Sequence, residues 1–335
     1  MANSKIVVAM LGAGNMGTAL SNIIANNGFQ VKLWNYEGDI EPLTQIKDSQ
    51  ENKKYLPGIK LSANIIPEQD LEAALKNSEV IFFSLPSNCI GSLVKKSSLY
   101  LKKGAICVDV SKGLDETTLE VVPKMMEKYL PTHCRQNVID ISGPAIATDM
   151  ARGAFTAMNI AGKNPQAIKT VQKILNNDQL RLVPNSDLIG VEIAGSLKNV
   201  YAIAIGLCDF YKWPMNTKAA ILVCALKEIA ILTKKMGGKE KTVYDLAGLG
   251  DLVGTALSEH SRNRRFGACL PKHLDKDSAA KEIGQVVEGI NASKIALHLS
   301  KKYKVGLPLS KAIYEIVYKK ASPDITLKKF LKNIK

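Results

Sequence analysis

Over the first half of the chain, short apolar runs alternate with stretches of helical periodicity. The runs Ile6–Leu11, Val31–Trp34, Val80–Leu85, Ala105–Val110, Val138–Ser142 and Thr156–Ala161, with a last one near Leu180–Val183, predict strands. Strands separated by helix-length segments predict a parallel sheet with crossover helices. After Asn185-Ser186-Asp187 the strand pattern stops and long helical stretches run to the end. Ser186 or Asp187 offers a short side-chain oxygen for a first helical turn. The change of character places a domain boundary there, giving domains 1–187 and 188–335. A second helix of the later half, around Lys218–Met236, is expected to stop at Gly237-Gly238. Two domains also suit 335 residues, since single cores stop growing near ~250–300 residues.

The most apolar stretch, Leu188–Phe210, is interrupted by Glu192, Lys198 and Asp209. It reads as a buried helix, with no stable membrane insertion. Residues Met1 to Lys5 lead straight into a strand pattern and leave no room for a signal peptide, so a cytoplasmic location is expected. Six cysteines lie scattered without a CxxC pair, and four histidines are spread as widely. Reduced thiols are the expectation, and no metal site is. The formal net charge is +14, and the last 35 residues are lysine-rich. Those lysines alternate with apolar residues at helical spacing, as in Lys311-Ala312-Ile313-Tyr314, which reads as a solvated helix face. No aromatic-basic array accompanies them, so no nucleic-acid partner is expected.

The first strand runs directly into Gly12-Ala13-Gly14-Asn15-Met16-Gly17, which opens a helix. Glycines at this spacing allow a tight turn, backbone approach to a pyrophosphate and close packing of helix on strand. The helix N-terminus adds partial positive charge. The position between strand and helix makes this a Rossmann-like dinucleotide fingerprint. Glu37 stands 20 residues beyond Gly17, near where a carboxylate grips the ribose of NAD, and no arginine is present to receive a 2′-phosphate. The reading leans to NAD over NADP.

Candidate chemistry lies further on. Lys198 sits inside the most apolar helical stretch, where desolvation suits a lysine to general acid/base work; a structural ion pair is the plainer reading. Asp251 follows Ala247-Gly248-Leu249-Gly250 and either orients Lys198 or caps a helix. Ser261-Arg262-Asn263-Arg264-Arg265 gathers three guanidinium groups suited to phosphate, and is otherwise a solvent-facing basic turn. Lys112 and the segment Ser142-Gly143-Pro144-Ala145 each follow a strand, at the end where open parallel sheets collect ligands.

Together these segments resemble a known family. GAGNMGTAL (12–20), YLPG (55–58), SKGL (111–114), SGPAIA (142–147), GSLKNVYAIAIG (195–206), GLGDLVGT (248–255), SRNRRFG (261–267) and GQVVEG (284–289) are similar to the NAD(P)-dependent glycerol-3-phosphate dehydrogenases, particularly the bacterial type. The resemblance implies a Rossmann-like, doubly wound, mostly parallel α/β sheet followed by an all-α C-terminal domain. It implies an oxidoreductase that interconverts dihydroxyacetone phosphate and sn-glycerol 3-phosphate with NAD or NADP, supplies glycerophospholipid synthesis and works as a homodimer. By the same resemblance Lys198 is the general acid/base, Lys112 touches cofactor and substrate, and Asp251 lies beside Lys198. Ser261, Arg262 and Asn263 hold the substrate and its phosphate, with Gly143 and Ala145 beside it. Gly12, Gly14, Asn15, Met16, Gly17, Tyr36, Ala147, Val286 and Glu288 meet the cofactor, and Arg262 reaches it as well. Three positions depart from the bacterial pattern. Ala145 replaces a hydroxyl residue, Cys224 replaces a frequent arginine, and Asn35-Tyr36 lacks the basic or histidine residue often found there.

Overall fold

The computed structural model describes residues 6–116, 118–273 and 275–334. They form two compact units. One comprises the described residues through Ser111 together with Val122–Leu188; the other comprises Lys112–Val121 and the described residues from Ile189 on.

The first unit is built on eight strands: β1 (Val7–Leu11), β2 (Gln30–Trp34), β3 (Ile65–Glu68), β4 (Val80–Phe83), β5 (Ile106–Asp109), β6 (Val138–Ser142), β7 (Thr156–Gly162) and β8 (Leu180–Asn185). Their spatial order is β3-β2-β1-β4-β5-β6-β7-β8. Every pairing is parallel except β6 with β7. The helices are α1 (Asn15–Asn26), α2 (Glu41–Ser49), α3 (Leu71–Leu75), α4 (Ser87–Ser97), α5 (Val122–Tyr129), α6 (Ala147–Ala151) and α7 (Pro165–Leu175). Alternate residues of one strand enter different cores. Val8 and Met10 of β1 and Val80 and Phe82 of β4 pack on one side of the sheet. Ala9, Leu11, Ile81 and Phe83 pack on the other. A sheet covered on both faces explains why these strands read as continuous apolar runs.

Strand β3 is the one whose pattern is not apparent from the chain. It is Ile65-Ile66-Pro67-Glu68 at the sheet edge, paired only with β2. An edge strand tolerates a proline and needs only one buried face, so it carries little signal.

The second unit is helical: α8 (Leu188–Phe210), α9 (Met215–Lys235), α10 (Asp251–Leu257), α11 (Arg262–Cys269), α12 (Lys276–Ile283), α13 (Glu288–Tyr303), α14 (Pro308–Lys319) and α15 (Pro323–Lys332). Helix α8 is buried from Gly190 to Cys208. By length and hydropathy it is apolar enough to cross a membrane, but almost all of it is enclosed by the other helices. Helix α9 ends just before Gly237, which adopts a left-handed φ of +92°. The segment Lys112–Val121 belongs here because Leu114 and Val121 bridge each other and enter the core that α8 contributes with Ile193 and Leu197.

Candidate active site

In the sheet unit the glycine loop has three different local roles. Gly12 takes a φ of +117°, and a Cβ there would lie 2.3 Å from Ser84 O. A Cβ on Gly17 would lie 2.0 Å from Gly12 O, so α1 can pack on β1 only without one. Around a Cβ on Gly14 there is nothing within 4 Å. Gly14 is also the N-cap of α1, and no side chain caps that end. The first-turn amides therefore keep the capacity to bind an anion, with open space before them, which fits the pyrophosphate of a dinucleotide.

The loop is fastened by residues the motif does not contain. Asn35 Oδ1 accepts from Ala13 N at 3.3 Å. Asn52 Nδ2 donates to Ala13 O at 2.9 Å and to Thr18 Oγ1 at 2.8 Å. Asn15 begins α1 and donates to Tyr55 O at 2.6 Å. Met16 packs, half-buried, against the sheet core. Past β2, Tyr36 and Glu37 are exposed, and the buried carboxylate is that of Asp39. Asp39 accepts from Asn35 Nδ2 (3.1 Å), Lys54 Nζ (2.7 Å) and Tyr55 Oη (2.8 Å). Burial acts to raise its pKa, but the bonds from Lys54 and Tyr55 prevail and hold it below the usual carboxylate range. The acid that sequence spacing assigned to Glu37 is thus joined by a second, two residues on. Gly143 follows β6, where a Cβ would lie 2.8 Å from Met158 Cα. Ala145 is half-buried against the same core, and Ala147 is the first residue of α6.

In the helical unit Lys198 is carried on the buried face of α8, 7% exposed. Its Nζ lies 2.6 Å from Asp251 Oδ1 and also donates to Thr255 Oγ1. The other carboxylate oxygen of Asp251 accepts from Lys112 Nζ. One carboxylate thus serves two ammonium groups. The turn that delivers it is a single π-helical turn, Leu246–Gly250, begun by the Asp245 side chain accepting from Leu246 N. A Cβ on Gly248 would lie 2.0 Å from Val243 O, so this turn requires glycine. Such turns recur at functional sites because they re-aim the next residue. Asp251 is the first residue of α10, and Gly250 occupies the N-cap position. Burial lowers the Lys198 pKa to about 8; Asp251 opposes the fall and Lys112 adds to it.

Lys112 is held through its neighbour. Gly113 N donates to Glu192 Oε1 (3.2 Å), which also accepts from Ser196 Oγ (3.0 Å) one turn along α8. Helix α11 lies close on α8 because both carry glycine at the crossing. A Cβ on Gly206 would meet Arg264 O at 1.9 Å, and one on Gly267 would meet Ile203 O at 2.2 Å. That crossing brings Asn263 Nδ2 to Asn199 Oδ1 (2.8 Å), while Asn263 Oδ1 accepts from Gly289 N (2.8 Å). Asn199 Nδ2 donates in turn to Glu288 Oε2 at 3.0 Å. Asn263 is left with one N–H for a ligand.

The three arginines of the basic turn differ in role. Arg264 is committed to structure: Nε donates to Asp209 Oδ2, and Nη1 donates to Leu257 O. Arg265 is exposed. Arg262 is half-buried and has no hydrogen bond or ion pair among the described residues. Ser261 caps α11 by accepting from Arg264 N at 3.3 Å, and its hydroxyl proton remains available. Val286 is exposed, and Glu288 opens α13. Sequence reasoning missed Thr255, Asn199 and Asn52. Thr255 was within reach, standing one helical turn after Asp251.

The chain is similar to known proteins of one family over nearly its whole length. Residues 7–168 match the model of the N-terminal part of NAD-dependent glycerol-3-phosphate dehydrogenase, and residues 187–328 match that of its C-terminal part. A glycerol-3-phosphate dehydrogenase (NAD(P)+) of Bacillus velezensis is 38% identical over 98% of this chain and 94% of its own length. One from Carboxydothermus hydrogenoformans is 38% identical over 94% of this chain and 93% of its own. The crystal structure of a glycerol-3-phosphate dehydrogenase from Coxiella burnetii superposes with a TM-score of 0.92 at 32% identity, covering 98% of this chain and 99% of that one. With both halves matched and relatives aligned end to end, the chain belongs to the NAD-dependent glycerol-3-phosphate dehydrogenase family.

Proposed function

We propose that this chain is a glycerol-3-phosphate dehydrogenase, reducing dihydroxyacetone phosphate to sn-glycerol 3-phosphate with NADH or NADPH and running the reverse reaction with the same groups. The observation that carries the reading is a buried lysine near pKa 8 sharing one carboxylate with a second lysine. A lysine poised there can give and take a proton near neutral pH.

In this reading domain 1–187, apart from Lys112–Val121, holds the dinucleotide, and domain 188–335 with that segment the substrate and the proton chemistry. The nicotinamide supplies or accepts the hydride at the substrate C2. Lys198 delivers the proton to the C2 oxygen during reduction, and in the reverse direction its neutral amine takes the hydroxyl proton. Asp251 and Thr255 keep its Nζ aimed. Lys112 stabilises the charge developing on that oxygen. Arg262, which has no partner among the described residues, binds the phosphate with the remaining N–H of Asn263 and the Ser261 hydroxyl. Gly143 and Ala145 line the substrate. Gly12, Gly14 and Gly17 cradle the pyrophosphate, and Asn15, Met16, Tyr36, Ala147, Val286 and Glu288 complete the cofactor contacts, joined by Lys112 and Arg262. Between the two nicotinamides the reading favours NAD: Glu37 brings negative charge past β2, the charge of Asp39 being balanced by Lys54, and no arginine stands there to receive a 2′-phosphate.

The product supplies glycerophospholipid synthesis, and the chain acts in the cytoplasm as a homodimer. The family resemblance supports these assignments, and the burial of α8 speaks against its spanning a membrane. Steady-state kinetics with dihydroxyacetone phosphate and each reduced cofactor tests the function. Turnover with at least one cofactor is expected, and K198M should abolish it while cofactor binding persists. Turnover of a hydroxy acid but not of dihydroxyacetone phosphate would overturn the reading, as would near-normal turnover in K198M.

A further inference from the structure

Outside the lysine site, the passage from α11 to α12 gathers three different donor side chains. Cys269 is the last residue of α11, His273 follows a 3-10 turn over Leu270–Lys272, and Glu282 lies on α12. Their sulfur, imidazole nitrogen and carboxylate oxygen all lie within 4.8 Å of one another. His273 Nε2 is 2.7 Å from Glu282 Oε2. Cys269 is buried at 4% exposure, whereas the His273 and Glu282 side chains reach solvent at 26% and 53%. The cluster therefore has a fixed buried sulfur and two donors free to adjust around it.

Thiolate, imidazole and carboxylate are the donors zinc uses, at bond lengths of about 2.0–2.3 Å. Tetrahedral geometry at those lengths separates the donors by about 3.3–3.6 Å. The His273–Glu282 pair, at 2.7 Å, must open by less than about 1 Å, and the Cys269 sulfur already lies within 4.8 Å of both. That opening falls to side chains that reach solvent. A solvated fourth position follows from the exposure of Glu282.

We propose that Cys269, His273 and Glu282 form a binding site for one divalent transition-metal ion, zinc foremost, with water as the fourth ligand. Without metal the thiol keeps its proton, burial and the bond to Glu282 raising its pKa to about 11, while Lys272 and Arg265 pull it the other way. Metal binding breaks the S–H bond, forms the S–metal bond and releases the proton to solvent. Thiolate and carboxylate then balance the charge of the dication. The ion ties the end of α11 to α12 and so stabilises the helix whose first turn carries Arg262 and Asn263.

Titration of the metal-free chain with Co2+ tests this. One equivalent is expected to bind, giving the visible bands of a tetrahedral site and a thiolate-to-cobalt absorption in the near ultraviolet; Zn2+ should displace it and raise the thermal midpoint. C269S should lose the near-ultraviolet absorption, and C89S, at an exposed cysteine, should keep it. H273Q changes a half-exposed side chain and leaves the fold intact by circular dichroism, so it serves even if C269S folds poorly. It should weaken cobalt binding at least about tenfold, since loss of a second-shell partner alone costs that much. An absent thiolate absorption in the unmodified chain, one that survives C269S, or one lost in C89S overturns the site and leaves only a His–Glu pair beside a buried thiol.

Discussion

Replacing Asp251 by Asn keeps the shape of the site and removes the charge shared by Lys112 and Lys198. Burial has already brought Lys198 to about pKa 8, with Asp251 working against the fall. An opposite charge at about 4 Å is worth ~4 kcal/mol at an effective dielectric near 20, equivalent to about three pKa units. The amide retains part of the hydrogen bonding, so a fall of about two to three units is expected in D251N. Reduction of dihydroxyacetone phosphate needs the ammonium form. Its rate in the unmodified chain should therefore fall away above about pH 8, and in D251N the midpoint should move two to three units toward acid. At about pH 7.5 the variant should be slower by about 100-fold, with recovery as the pH is lowered. The assay follows NADH absorbance at saturating cofactor across this range, with circular dichroism to confirm folding, because breaking a buried pair costs about 3–5 kcal/mol of stability. A slower variant whose midpoint stays near pH 8 would refute the argument, since the carboxylate would then act other than by tuning Lys198.

The two directions of reaction should respond oppositely to pH in the unmodified chain: oxidation of glycerol 3-phosphate, which needs neutral Lys198, should rise through about pH 8 where reduction declines. Parallel profiles would remove Lys198 from the proton transfer. Stability has its own sign. The folded Lys198 pKa lies below the unfolded 10.5, so folded chains bind fewer protons between about pH 8 and 10.5. This group's contribution to stability should therefore improve across that window, and the net cost of its lowered pKa, about 3 kcal/mol, stands in full below it; K198M should flatten that part of a denaturant-midpoint profile. G14A should fold normally and lose dinucleotide affinity, while G17A should lose thermal stability as well, because only the second Cβ meets backbone, at 2.0 Å from Gly12 O. Equal melting temperatures would contradict this. R262A should raise KM for the phosphorylated substrate about 10- to 100-fold, the worth of a charge-assisted hydrogen bond, and R264A should act mainly on stability through its bonds to Asp209 and Leu257. Denaturation midpoints measured beside KM separate the two.

The chain alone determined seven of the eight strands, the helical second half, the glycine loop and the candidates Lys112, Lys198 and Asp251. Those features rest on local periodicity, on glycines at fixed spacing and on charge placed among apolar residues, all of which can be read along a sequence. What the tertiary structure decided are relations between segments far apart. Three arginines look alike in sequence, yet Asp209, 55 positions from Arg264, takes that one out of ligand binding. Lys112 follows a strand of the sheet but is packed with the helices, 139 positions from the carboxylate it shares. Asn52 holds a loop 39 residues away. Strand β3 exists because β2 offers an edge, and its own four residues give little sign of it. Cysteines and histidines that form no motif along the chain meet at Cys269, His273 and Glu282 because α11 and α12 turn back on each other. Local pattern specifies which elements form; long-range packing sets the partner of each charge, and with it what that charge is free to do.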